Sequence, residues 1–231
     1  MTDTAKPPAR DPFDLPDVST LTVGVLGGTG EQGRGLAYRW AQAGQRVIIG
    51  SRDEQRAQAV AADLGATVEG ATNVVCAARA DVVVAAVPWA GHEALLTELR
   101  IALVGKIIVD CVNPLGFDKQ GAFALAVAQG SAAQQAAELL PDSTVVAAFH
   151  HISAVLLLDD SVPTLDTDVL VLGDKREATD TVQALANRIP GLRGIYGGRL
   201  RNAAQVEAFT ANLISINRRY KAHGGVRITD V

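Results

Sequence analysis

The run Val23-Gly24-Val25-Leu26-Gly27-Gly28-Thr29-Gly30-Glu31-Gln32-Gly33 constrains this chain more than any other. It joins a short apolar strand to a helix through a glycine turn. Gly28, Gly30 and Gly33 have the G-x-G-x-x-G spacing of dinucleotide-binding turns. Gly28 is expected to permit the tight turn and Gly30 to let the backbone approach a pyrophosphate. Gly33 is expected to let the helix pack closely on the strand. The free N–H groups and positive dipole end of that helix then face the phosphates.

The rest of the chain alternates strand and helix patterns, as a doubly wound, mainly parallel α/β sheet of the Rossmann type requires. A helix over about 30–43 is closed by Gly44, and a strand Arg46-Val47-Ile48-Ile49 follows. A helix to about Leu64, a weak strand near 66–68 and a helix around 71–78 come next. Asp81 to Val87 is a continuous apolar strand, the pattern of a parallel strand buried on both faces, and Pro88 ends it. A helix from His92 to Arg100, strands at 107–112 and 144–149 and a helix at 131–140 complete a unit expected to span 21–155. Residues 156–231 read as a smaller C-terminal α/β domain. It holds a strand at 169–174, a helix at about 176–188, a short strand at Ile195-Tyr196 and a long helix from Arg201 to Tyr220. In that last helix Val206, Phe209, Leu213 and Ile216 fit one apolar stripe.

The end of the second strand specifies the dinucleotide. An NAD site places Asp or Glu there to accept bonds from the ribose hydroxyls. This chain has Gly50-Ser51-Arg52, with Asp53 turning into the next helix. A carboxylate would repel a 2′-phosphate, whereas a hydroxyl and a guanidinium bind one. Arg56 follows Arg52 by four residues and shares its helix face. Ser51, Arg52 and Arg56 read as a clamp that selects NADP. The other reading is a solvated arginine pair at a helix start.

Composition excludes several classes. The chain has 231 residues, a formal net charge of −4 and no basic run, which argues against a nucleic-acid surface. No apolar run reaches membrane-spanning length. Cys76 and Cys111 lack metal-type spacing and read as core residues in a reducing compartment, so a cytoplasmic location is expected. His92, His150, His151 and His223 have no neighbouring Cys or Glu at ligand spacing, and no metal is expected. Residues 1–20, with Pro7, Pro8, Pro12 and Pro16, read as a disordered or loosely packed arm.

The glycine turn, Gly50-Ser51-Arg52, Val87-Pro88-Trp89, Asn113-Pro114-Leu115 and Phe149-His150-His151-Ile152-Ser153-Ala154 occur in register. Together they resemble the F420-dependent NADP reductases, over about 21–216. The resemblance implies reversible, direct hydride transfer between nicotinamide C4 of NADPH and C5 of the deazaflavin coenzyme F420, with no metal and no covalent intermediate. Such an enzyme holds the two carbons about 3–3.5 Å apart and excludes water. By position, Thr29, Gly30, Glu31 and Gln32 carry the pyrophosphate. Val87, Pro88 and Trp89 line the groove from adenosine to nicotinamide, with Asn113 and Pro114 on the same edge. His150, Ile152 and Ala154 border the rings. His150 is at most a ring contact here, because hydride transfer demands no general acid at the reacting carbon. A second histidine, His151, and Ser153 in place of a proline depart from some relatives without removing a ligand. The resemblance also implies a homodimer and coenzymes as the small-molecule partners, with the C-terminal part covering the F420 cleft.

Two other functions fit the first domain. One is a different NADPH-dependent reductase of the imine or pyrroline-5-carboxylate type, although those continue into a larger helical domain. The other is a redox sensor that binds NADPH without chemistry.

Overall fold

Uninterrupted apolar runs become the central strands, because each must bury both faces. In the computed structural model, which describes residues 11–231, eight strands form one sheet. The elements run β1 Thr22–Leu26, α1 Glu31–Gln42, β2 Arg46–Ser51, α2 Glu54–Leu64, β3 Val68–Thr72, α3 Asn73–Arg79, β4 Val82–Ala85, α4 Trp89–Leu99 and β5 Ile107–Asp110. They continue with β6 Leu115–Asp118, β7 Gly121–Ala124, α5 Ala132–Leu139, β8 Thr144–Ala147, α6 Ala154–Leu157, β9 Thr167–Gly173, α7 Arg176–Asn187, β10 Leu192–Gly198 and α8 Ala203–Tyr220. The sheet order is β10-β9-β8-β5-β4-β1-β2-β3. Every neighbouring pair is parallel except β8 with β9.

Side chains that alternate along each strand fill two cores, one on each face. Val23, Val25, Val47, Ile49, Val82 and Val84 pack with Leu36 and Trp40 of α1, Ala57 and Ala61 of α2, and Val182 and Leu185 of α7. Leu26, Ile48, Val83, Ala85, Ile108 and Val145 pack with Cys76, Leu96, Leu99, Ala133, Ala136 and Val206 from α3, α4, α5 and α8. Trp40 anchors the first core. Its indole N–H donates to the Leu185 carbonyl at 2.9 Å, and its ring meets Phe149 edge-on at a centroid distance of 5.5 Å.

The expected boundary at residue 155 falls between β8 and β9, where the sheet is continuous. The C-terminal elements extend the first sheet. Asp168 of β9 ties them together. Its buried carboxylate accepts from Arg193 Nε and Nη2 at 2.7 and 2.8 Å, from Arg227 at 3.2 Å and from the Ile228 N–H at 2.6 Å.

Three features depart from the sequence reading. A β6–β7 hairpin occupies 115–124, where no strand is expected. Within the expected arm, Pro7 and Pro8 lie outside the described residues, but the arm is docked from Leu15 onward. Val18 is buried, and Gln45 Nε2 donates to the Val18 and Leu21 carbonyls. The stripe on α8 also splits. Val206 and Leu213 are buried, whereas Phe209 and Ile216 are 40% and 41% exposed.

Candidate functional site: a dinucleotide cleft at the strand ends

The C-terminal ends of β1, β2, β4, β5 and β8 share one edge of the sheet, the edge on which open α/β sheets take ligands. After β1 the chain reverses at Gly27, whose φ of 73° favours glycine, and the Gly30 N–H donates to the Gly27 carbonyl at 2.9 Å. The tight turn therefore belongs to Gly27. Gly28 serves packing, since a Cβ there would sit 2.6 Å from Ile49 Cβ. Gly33 backs onto the turn, with a Cβ meeting the Gly27 carbonyl at 2.8 Å. At Gly30 a Cβ would meet only that carbonyl, at 3.3 Å, and otherwise faces open space. No side chain caps α1. The one bare glycine thus stands at an uncapped helix N-terminus flanked by Thr29, Glu31 and Gln32, the geometry that suits a phosphate.

At the end of β2, Ser51 Oγ accepts from the Asp53 N–H at 3.2 Å. Asp53 is the N-cap of α2 and accepts from the Arg56 N–H at 3.1 Å. The nearest carboxylate is therefore committed to capping, as its place one residue before the helix predicts. Arg52 and Arg56 are exposed, and no ion pair among the described residues involves either. Both cations sit at a helix N-terminus, against the dipole.

Val87 and Trp89 are half-buried and Pro88 is exposed where β4 passes into α4. After β5, Asn113 Nδ2 donates to the His150 carbonyl at 2.8 Å, beside the buried Pro114. After β8, Phe149 adopts φ 65°, a left-handed conformation that costs a non-glycine residue about 1–3 kcal/mol. Its carbonyl accepts from Gln32 Nε2 at 3.2 Å. The glycine-turn helix and the β8 corner are thereby joined directly. Ile152 is buried and Ala154 half-buried at the start of α6. Arg39 of α1 clamps α6 from behind, donating to the carbonyls of Leu156, Leu157 and Asp159 at 2.6, 2.7 and 2.9 Å.

His150 is 4% exposed, and neither ring nitrogen has a partner among the described residues. Burial drives its pKa down to about 4, so the ring is neutral. Asn113 Oδ1 is likewise buried and unpartnered. Buried polar atoms are normally paired, and these three lie sealed from solvent behind the β5 and β8 strand ends. His151 faces away, with Nε2 2.7 Å from the Asp168 carbonyl.

The chain is 40% identical over 226 residues to the F420-dependent NADP reductase of Methanothermobacter thermautotrophicus, covering 93% of this chain and 97% of that one. This protein belongs to the F420-dependent NADP reductase family. Residues 22–114 match the family described as NADP oxidoreductase, coenzyme F420-dependent. An inferred F420-dependent NADP reductase from Arthrobacter sp. FB24 superposes with a TM-score of 0.78 at 28% identity, over 90% of this chain and 99% of that one. An imine reductase from Bacillus cereus superposes with a TM-score of 0.63 at 15% identity, over 87% of this chain and 63% of that one, a likeness of fold alone.

Within this F420-dependent NADP reductase fold, three contributors escape sequence reasoning. Thr210 of α8 donates from Oγ1 to the His150 carbonyl at 3.2 Å, so the C-terminal helix reaches the cleft wall. Its neighbours Val206 and Leu213 mark the buried face, but nothing local marks the hydroxyl. Glu207, one turn earlier, is buried and accepts from the Ala132 and Ala133 N–H groups at 2.9 and 3.1 Å. Burial pushes its pKa up to about 7 against those two bonds. The third is the His92–Asp110 pair, with Nε2 2.6 Å from Oδ2. Arg199 and Arg201 follow β10, which runs opposite to β8, and Arg199 pairs with Asp174 beyond the far edge of the sheet.

Proposed function

We propose that this protein transfers hydride reversibly between NADPH and coenzyme F420, and that the cleft at the strand ends holds both. The observation that carries this reading is the bare, uncapped turn at Gly30 beside a strand end whose nearest carboxylate, Asp53, caps α2. Gly28, Thr29, Gly30, Glu31, Gln32 and Gly33 form the pyrophosphate turn. Ser51, Arg52 and Arg56 hold the 2′-phosphate. Val87, Pro88 and Trp89 wall the groove toward the nicotinamide, and Asn113, Pro114, His150, Ile152 and Ala154 close its reacting end.

When bound, the coenzymes supply the hydride and its acceptor carbon. The protein orients and desolvates them. The neutral His150 ring suits that task, since it contributes hydrogen bonds without a charge that would attract water. Residues 21–155 bind NADP and residues 156–231 cover the F420 side, with Thr210 as their link to the wall. Cys76 and Cys111 are buried free thiols, in keeping with the reducing cytoplasm.

The deciding assay mixes the protein with NADP and reduced F420 and follows deazaflavin absorbance, with NAD as control. NADP-dependent reoxidation is expected. No reoxidation by a protein that demonstrably binds NADPH would overturn the proposal and favour a sensor or a different acceptor.

The protein acts as a homodimer in this reading. Phe209 and Ile216 of α8 and Phe123 of β7, the strand against which α8 packs, are 40%, 41% and 45% exposed, and Phe117 of the same hairpin is 70% exposed. Large apolar side chains gathered on adjoining elements mark an association surface. Phe209→Glu with Ile216→Glu should convert a dimer to a monomer in analytical ultracentrifugation, with the fold retained. A wild-type monomer at micromolar concentration would refute it.

A further inference from the structure

His92 lies in the first turn of α4 with its side chain fully buried. A cation is misplaced there, since the helix dipole opposes it and burial removes its water. Yet both ring nitrogens face acceptors. Nε2 is 2.6 Å from Asp110 Oδ2, and Nδ1 is 3.0 Å from Gln135 Oε1. The Gln135 amide nitrogen lies 3.5 Å from Gln129 Oε1. A neutral imidazole carries one N–H and would leave one of these short contacts as acceptor against acceptor. With Gln135 Oε1 toward Nδ1 and Asp110 Oδ2 toward Nε2, two N–H groups satisfy both contacts. The charged groups acting on the ring are Asp110 from β5 and Glu207 from α8, while α5 contributes the neutral Gln135. Burial opposes the charge, but the bond to Asp110 and its negative charge, together with the Gln135 bond and the Glu207 charge, hold the His92 pKa above its ordinary value.

Such a pair is a poor stability device, because apolar residues of like volume commonly serve as well. Its placement indicates another use. The His92 ring packs against the Trp89 indole at a centroid distance of 5.5 Å and an interplanar angle of 33°. A cation within about 6 Å of an indole face is attracted to it. Asp110 Oδ1 meanwhile accepts from the Val112 N–H at 3.0 Å, fixing the start of the loop that presents Asn113.

We infer that His92 is a buried imidazolium, held charged by Asp110, that positions Trp89 as a wall of the cofactor cleft. His92 is a positioning residue, and the cofactor half of the inference rests on the proposed function. Trp89 and the Asn113 loop are then set by one buried charge pair beneath the groove.

Asp110→Asn isolates the charge. The asparagine oxygen still accepts from Val112 and its NH2 donates to Nε2 of a neutral His92, so the hydrogen bonds survive. Nitrogen-15 NMR of the wild type should show both His92 ring nitrogens protonated at pH 7.5, and the variant should show one. A protonated imidazole quenches an indole in contact with it. Emission should therefore rise in Asp110→Asn but not when Trp89→Phe is added, Trp40 being the other tryptophan. NADPH dissociation constants, measured by calorimetry without F420, should rise roughly two- to thirtyfold in Asp110→Asn. A neutral His92 in the wild type overturns the inference, as does emission that ignores the charge. Unchanged NADPH affinity overturns the positioning role. Failure of F420 turnover with these three results intact would count against the proposed function alone. If Asp110→Asn does not fold, the wild-type spectrum still decides the charge.

Discussion

A valine at position 30 is expected to abolish dinucleotide binding and leave the fold standing. Gly30 has φ −83° and ψ 163°, extended backbone that a β-branched residue adopts readily. Its new Cβ would meet only the Gly27 carbonyl, at 3.3 Å, which a shift of a few tenths of an ångström relieves. Loss of glycine at the N-cap costs the helix about 1 kcal/mol at most. The rest of the valine side chain projects into the space above the uncapped N-terminus of α1, where the pyrophosphate is proposed to lie. Denying the phosphate two charge-assisted backbone bonds, each worth about 1.5–3 kcal/mol, predicts a loss of at least 100-fold in NADPH affinity. Calorimetric titration and thermal melting, run together, separate the two effects. Gly28→Val is the contrasting variant. Its Cβ would overlap Ile49 at 2.6 Å, so it should fail by misfolding. Unchanged NADPH affinity in a folded Gly30→Val protein would remove the turn from the site.

The contrast between those two glycines marks what the sequence can carry. Spacing identifies the turn, but three glycines at the right intervals do not say which one reverses the chain, which packs and which is left bare. Reversal falls to Gly27, packing to Gly28 and Gly33, and openness to Gly30. Central strands such as Val82–Ala85 are legible because burial on both faces forces an unbroken apolar run. Helix starts are legible where the cap is local, as at Asp53 and Ser131. The β6–β7 hairpin leaves only a small local signal. Asp118 Oδ1 accepts from Gln120 and Gly121 N–H groups, and Gly121 has φ 123°, but Phe117 and Phe123 are exposed, so no buried face imposes a pattern. Contacts between distant segments are not legible at all. The antiparallel entry of β9, the Gln32–Phe149 bridge and the Thr210 hydroxyl join residues separated by at least tens of positions, and each side chain is ordinary in its own neighbourhood. Asp110 is the instructive case. A carboxylate inside an apolar strand announces a partner, but finding His92 requires α4 to be packed on the sheet.

The same limit governs the phosphate clamp, whose residues are local and whose ligand is not. Arg52→Ala with Arg56→Ala is expected to erase the preference for NADPH over NADH. The two guanidiniums stand at the N-terminus of α2, where the dipole disfavours them, and no ion pair among the described residues engages either. Asp53, whose carboxylate would otherwise claim them, is held by the Arg56 backbone N–H at 3.1 Å. A doubly charged phosphate between them would relieve both conflicts. Each arginine–phosphate contact is worth about 1.5–3 kcal/mol when desolvated, and less at an exposed site, so each single variant should weaken NADPH about tenfold. The double variant should reach about 100-fold, while NADH affinity, which involves no 2′-phosphate, changes less than about threefold. Salt offers an independent check. Raising ionic strength from 0.05 to about 0.5 M should weaken NADPH binding to the wild type and leave the double variant nearly indifferent, because screening acts on the charges that remain. Equal losses for the two dinucleotides would return Arg52 and Arg56 to the status of solvated surface residues, and would transfer any NADP preference to Ser51 and the backbone of the β2–α2 turn.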